Sequence, residues 1–513
     1  MTTIEKGGPT HMEAAPEARS LLPNIITTAT LIAACILAYV LFVPNPELYQ
    51  TAYNEAFHQY IEPNQYAWLG DAFMHGRLDL NLEVNPALDS LTDPYDFSAR
   101  YDAGSEDHPI YWDHAFYKGK YYCYFGCVPA ILLYMPYEMM TGQFLSTPVA
   151  VLIFTLAYLC IMSGFIHVFL KGHKSSMVGG SYEVLAILSV AALSNVAYII
   201  TSLTFYSIPY ISSLMFTTLA LLLWTLSSQN IKEDELYQRK AAVQLVFGSL
   251  CMALNIGCRP QFIVASLLAF PIFYNEIFVT RKIFSLHSIG MSILALAPFL
   301  VIGILQGWYN YARFGSFADF GASYNLTGFN MTTYHQEVAL TYSIVGAYLL
   351  GPIDFSRAFP FYESYICEWP FGFAPVEPFF GGYFILMPVS FLVFRVRAAW
   401  KSKDEGRDLR LLIVLNALIA TVLLIIDTRV AGISERYFSD FGYFMAFDTL
   451  IAFTFMGKAH RGKAAAMILV VLTYVNLFFT HLSPTRYYSL AASRPNLWNS
   501  IIMHLQNLGL KTI

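Results

Sequence analysis

Apolar runs of about 20 residues fill most of this chain, and two long polar-aromatic stretches interrupt them. The first run is about Leu22–Val43. Others fall near 145–170, 181–202, 207–228, 241–257, 260–278, 286–308, 379–396, 409–426, 437–456 and 463–481. About 20 apolar residues is the length a helix needs to cross the hydrocarbon of a bilayer. The pattern predicts an all-α polytopic membrane protein with about 11 transmembrane helices.

The first polar stretch, 44–144, holds 13 Asp or Glu against 4 Lys or Arg between Pro44 and Phe125. A loop this long inside a compact protein is usually functional. Its segment 64–76 carries Ala67, Leu69, Ala72 and Phe73 at helical spacing, which predicts an amphipathic helix on the membrane surface. The loop closes on 126–142, a short apolar segment broken by Pro129 and Pro136 and carrying Glu138. The second polar stretch is 309–378.

Charge orients the chain. Lys and Arg cluster at 171–174, 232–240, 281–282, 395–410 and 458–463. The excess of basic residues in cytoplasmic loops makes these cytoplasmic. If 126–142 spanned, Lys171 and Lys174 would fall outside and every later loop would invert. The segment is therefore expected to lie at the outer interface. That choice gives a cytoplasmic tail (1–21), one transmembrane module (22–482) with two external loops (44–144 and 309–378), and an external tail (483–513). It leaves 18 of the 30 Lys and Arg on the cytoplasmic side.

Composition narrows the class. Of 513 residues 56% are hydrophobic and 13% charged, with a mean hydropathy of +0.49; soluble domains carry about 25% charged residues. A net charge of −5 offers no basic surface for nucleic acid. The seven Cys lack the spacing of a redox or zinc site. His58, His108 and His114 match no metal-binding spacing either. No internal repeat is visible, and inverted-repeat transporters are built on one.

Candidate chemistry lies in the loops. Asp113, in YWDHAFYKGKYYCYF, is hemmed by Tyr111, Trp112, Tyr117, Tyr121 and Tyr122. Such surroundings raise a carboxylate toward the range of a general base. Lys118 and Lys120 follow, placed to hold a phosphate; the alternative is that Asp113 caps a turn or pairs with Lys118. Asp71, in WLGDAFMHGRLDL, and Glu55, in YNEAFHQY, are the other candidate bases, each with a solvated face as the alternative. Arg259, Arg313 and Arg436 stand at helix mouths on the external side, where arginines bind phosphate bidentately. Lipid snorkelling, or an ion pair of Arg436 with Asp440, is the competing reading.

The layout resembles the GT-C superfamily of polytopic glycosyltransferases, closest to its protein mannosyltransferase and aminoarabinose transferase branch. Gly-Lys-Tyr-Tyr-Cys-Tyr-Phe-Gly-Cys-Val-Pro-Ala (119–130) is similar to a run found in uncharacterised bacterial members. LGDAFMHGRLDL (69–80), NYARFGS (310–316) and RYFSDF (436–441) also resemble segments of that group. The resemblance implies a sugar donor carried on a polyprenyl phosphate and a glycan, lipid or protein acceptor. It implies inversion, with a first-loop carboxylate as base and basic residues on the departing phosphate. Two departures bear on a divalent metal. The Asp-Glu pair that often follows the first span is replaced by Pro46-Glu47 and Asn54-Glu55, and the short external connection after the third run, LTFYSIPY (203–210), has no acid where members of that branch tend to place one. No cofactor is therefore expected with certainty. A flippase of lipid-linked glycans and a polysaccharide polymerase are the alternatives.

Overall fold

The computed structural model describes residues 21–43, 50–173, 177–233, 238–364, 377–401, 406–456, 460–486 and 489–512. The tail read over 1–21 (Leu21 apart), and Glu47, lie outside these residues. Helix α1 (Leu21–Phe42) comes first. Strands β1 (Ala52–Asn54) and β2 (Gln59–Ile61) then pair antiparallel. Three small helices follow: α2 (Gln65–Met74), α3 (Pro86–Ser90) and α4 (Phe97–Ala103). Asn85 and Asp96 cap the last two, each accepting a backbone N–H two residues on.

A second hairpin joins β3 (Ala115–Tyr117) to β4 (Lys120–Tyr122). Its two turn residues, Lys118 and Gly119, have φ of 49° and 71°. Two positive φ angles make a tight turn whose twist matches the strands, and glycine takes the second without strain. Beyond it, a π-helical turn (Ala130–Tyr134) runs into α5 (Met135–Thr141). Their 5 and 7 residues reach about 18 Å at 1.5 Å each, short of the ~30 Å of hydrocarbon in a bilayer. Helix α2 does not lie free on a surface. Tyr66, Ala67, Leu69, Gly70 and Ala72 are buried, and the helix packs on α5 and the π turn.

The bundle is built from α6 (Thr147–His173), α7 (Ser181–Leu193), α8 (Val196–Thr201), α9 (Ser207–Glu233), α10 (Gln238–Leu254), α11 (Ala269–Ile272) and α12 (Ile289–Phe314). After α12 come α13 (Val338–Leu350) and the hairpin of β5 (Asp354–Phe355) and β6 (Tyr362–Glu363). Then follow α14 (Tyr383–Leu386), α15 (Ala398–Lys401), α16 (Arg407–Ala431), α17 (Phe438–Thr454), α18 (His460–Leu482), α19 (Leu490–Ser493) and α20 (Pro495–Asn507). The most extensive packing joins α6 to α9, α9 to α10 and α16 to α17. Every residue of α17 except Met445 is buried, as expected of a helix apolar on all sides.

Among the described residues seven helices are long and apolar enough to cross a membrane: α1, α6, α9, α10 with the turn that follows it, α12, α16 and α18. The other four expected runs are helical but short or broken. The run 181–202 splits at Asn195, which has φ 61° and donates its amide to Glu435 O at 2.8 Å. Pro271 and the π turn Asn275–Val279 interrupt 260–278, and Pro388 interrupts 379–396; proline supplies no N–H to a helix interior. The run 437–456 becomes the 17-residue α17. The three hairpins correct the all-α expectation, and α13 lies inside the stretch read as the second loop.

Charge separates the two ends of the bundle. Lys171 ends α6, Lys282 donates to Ile231 O near the end of α9, Arg239 begins α10, Arg407 begins α16 and Arg461 begins α18. The opposite ends of α6, α9 and α10 meet the stretch between α1 and α6, through Thr147 to Pro63 O, Tyr206 on Phe125 and Gly257 on Gly126.

Candidate active site

Asp113 sits just before β3 with φ 61°, a left-handed conformation that Asp tolerates. Backbone contacts on both sides hold it there. Its N–H donates to Leu326 O at 2.9 Å, and Leu326 N donates to His114 O at 2.9 Å. The Gln65 side chain donates to Asp113 O at 2.9 Å. The carboxylate is 4% exposed; it accepts from the Asn325 amide and the Tyr124 hydroxyl. Burial pushes its pKa up from 3.8 to about 6, against the hydrogen bonds of Asn325 and Tyr124 and the positive charge of Arg436, while Glu377 adds to the rise.

Arg436 lies in the 3-10 turn Glu435–Tyr437 that leads into α17, and its N–H is capped by Ser434. The guanidinium Nη2 pairs with Glu377 at 2.7 Å. The group lies over Tyr206, 4.4 Å from the ring centre, and over Tyr437 at 5.3 Å. Its Nε is buried and makes no hydrogen bond among the described residues.

Arg259 is differently placed. It follows the 3-10 turn Asn255–Gly257, against which Gly126 packs so closely that a side chain there would strike the Gly257 carbonyl. Its Nε donates to Asp440 Oδ1 at 2.6 Å and Nη2 to Oδ2, with Asp427 3.7 Å away. The guanidinium stacks 4.0 Å over Tyr210 and 5.8 Å from Tyr437. Tyr437 thus stands between the two arginines. Asp440 pairs with Arg259 rather than with Arg436, because Arg436 precedes the α-helix and lacks helical spacing to it. A further pair, Arg486 to Glu435 at 2.7 Å, fastens the C-terminal segment to the same turn; Glu435 also accepts from Phe380 N.

The structure brings Asp113 within electrostatic reach of Arg436, with Arg259 on the other side of Tyr437, and leaves the other sequence candidates elsewhere. Arg313 is buried, donates to Cys123 O at 2.8 Å and to Asn310 at 3.1 Å, and stacks 3.7 Å over Tyr309. It ties α12 to the strand β4. Lys118 is at the hairpin tip, exposed, with its ammonium over Tyr117. Lys120 pairs with Asp79 at 3.0 Å. Tyr117 packs on Tyr324, and Tyr121 is fully buried beneath the hairpin. Asp71 pairs with Arg77 at 2.9 Å, and Glu55 is exposed in the β1–β2 turn. Burial holds His114 neutral, its pKa down to about 4.

Glu377, Asn325, Tyr124, Tyr206 and Tyr437 complete the site and were not singled out from sequence. No group of three or more His, Cys, Asp or Glu among the described residues is gathered to hold a metal ion. A cavity of about 380 Å³ lies apart, along α12, lined by Ile256, Gly303, Gln306, Asn310, Phe317 and Phe320. It is mostly apolar and includes none of the charged residues of the site. No known family model, curated protein or solved structure matches this chain.

Proposed function

We propose that this chain is a multi-pass membrane glycosyltransferase. It moves a sugar from a polyprenyl-phosphate donor to a hydroxyl of a glycan, lipid or protein acceptor. The observation that carries this reading is the juxtaposition of Asp113 with Arg436. A buried carboxylate, its pKa raised to about 6, lies within electrostatic reach of a guanidinium whose buried Nε makes no hydrogen bond among the described residues.

Asp113 takes the proton of the acceptor hydroxyl as its oxygen attacks the anomeric carbon. The bond from that carbon to the phosphate oxygen breaks, and the electron pair leaves with the lipid phosphate. Arg436 stabilises the charge that develops there, in a site with few competing waters. Attack opposite the leaving group inverts the anomeric centre. Arg259, its fork filled by Asp440, keeps Tyr437 and the adjoining turn in place. The reading puts the basic ends of α6, α10, α16 and α18 in the cytoplasm, as the positive-inside rule favours, and Asp113 on the outer face of the cell membrane, with the N-terminus cytoplasmic. The test is sugar transfer by the purified protein from a panel of polyprenyl-phosphate sugars; no transfer from any donor that the membrane supplies would overturn the reading.

A further inference from the structure

The two arginines hold their carboxylates in different ways. Asp440 is fully buried on α17 and meets Arg259 through two donors. Glu377 belongs to no helix or strand, and its side chain is 28% exposed. One oxygen meets Arg436 Nη2, and the other accepts from Ser434 Oγ. Its backbone N–H reaches Ile433 O at 3.0 Å. The first partner is built into the bundle, while the second rests on its rim.

Carboxylate and phosphate compete for the same planar donors of a guanidinium. A phosphodiester carries one negative charge, as Glu377 does, so an exchange of one for the other leaves no uncompensated charge on Arg436. We propose that Glu377 is an internal anion that occupies Arg436 in the donor-free protein and is displaced by the phosphate of the lipid-linked donor. This rests on the reading of Arg436 as the phosphate site. Glu377 then sets a threshold for donor binding, because only an anion that outcompetes it reaches the arginine.

The test is binding of the methyl ester of farnesyl phosphate, a short prenyl phosphodiester with one negative charge, to the full-length protein in detergent by calorimetry. Where Glu377 occupies Arg436 in about nine molecules of ten, E377Q and E377A should bind about tenfold more tightly than the parent. Equal or weaker binding by folded E377Q and E377A overturns the exchange. Loss of folding in both variants overturns it as well, since a displaceable anion is not a structural partner. The double variant E377Q/R436A removes the pair together, so neither Glu377 nor Arg436 is left without the other. If it binds as tightly as E377Q, the phosphate lies elsewhere and the reading of Arg436 itself fails. If it loses binding while E377Q matches the parent, only the exchange fails.

Discussion

Asn325 lies 212 residues beyond Asp113 in the chain and donates its side-chain amide to that carboxylate. The backbones are joined at the same place, through Asp113 N to Leu326 O and Leu326 N to His114 O. The two long polar stretches are therefore one structure, stitched at the residue that carries the proposed chemistry. Because the amide stabilises the ionised carboxylate, Asn325→Ala should raise the Asp113 pKa above about 6. Loss of a hydrogen bond to a charged group costs about 1.5–3 kcal/mol. The measurement is the pH dependence of kcat/KM: its acidic limb should move to higher pH, and an unmoved limb separates Asn325 from the titrating group.

Asp113→Asn keeps the shape of the side chain and removes the base. Turnover should fall by about two to four orders of magnitude, with donor binding changed far less. In the parent, activity should rise with pH through about 6 as the carboxylate ionises. Stability runs the other way. The folded-state pKa is raised, so the stabilisation is fully present below about 3.8 and is lost as pH rises through about 6. The shift corresponds to at most about 3 kcal/mol at 1.36 kcal/mol per unit. Thermal unfolding in detergent at pH 5 and pH 8 should show this loss in the parent and a smaller one in Asp113→Asn.

Much of the scaffold was legible from apolar periodicity, because run length and burial are local properties of sequence. The aromatic neighbours of Asp113 also pointed to a buried carboxylate. Pairing was not legible. Spacing suggested Arg436 with Asp440, but Arg436 precedes the α-helix, and Asp440 meets Arg259 from 181 residues away. Lys118 and Lys120 are close to Asp113 in sequence, yet the turn at Lys118-Gly119 carries both outward. Glu377 and Asn325 gave no local signal, since their role exists only once distant segments meet. Helix α13 escaped notice because its 13 apolar-rich residues are too short to read as a span.

The two arginines of the site should respond differently to removal. Arg259→Ala leaves Asp440 buried without its ion-pair partner, which costs about 3–5 kcal/mol of stability. Its first effect should be a lower unfolding temperature and poor recovery from membranes. Arg436→Lys keeps the charge opposite Glu377 but removes the planar fork. It should fold and weaken donor use by roughly 1.5–3 kcal/mol, read as a higher KM or a lower kcat/KM. Normal donor kinetics in folded Arg436→Lys would detach the phosphate from this arginine.

Glu55 lies in an exposed turn, and Asp71 is engaged by Arg77 and His75 away from Asp113. Such positions usually tolerate substitution within about 0.5 kcal/mol. Asp71→Asn and Glu55→Gln should each transfer sugar at close to the parental rate when protein levels are matched. A dead Glu55→Gln with active Asp113→Asn would move the base to the β1–β2 turn and leave the reaction class standing.

The orientation proposed for the bundle rests on charge and can be tested without activity. His173 is exposed at the end of α6, beside Lys171, whereas Asp107 is exposed in the stretch before Asp113. The segment between them includes α5 and its π turn, which at about 18 Å is too short to span, and then the 27-residue α6. One crossing therefore separates the two positions. A cysteine at Asp107 should react with a membrane-impermeant thiol reagent in intact cells, and one at His173 should react only after the membrane is opened. The opposite pattern would place Asp113 in the cytoplasm and remove the access of an outer-face donor to it. Labelling of both positions in intact cells would mean that 126–142 crosses after all, with the basic end of α6 outside.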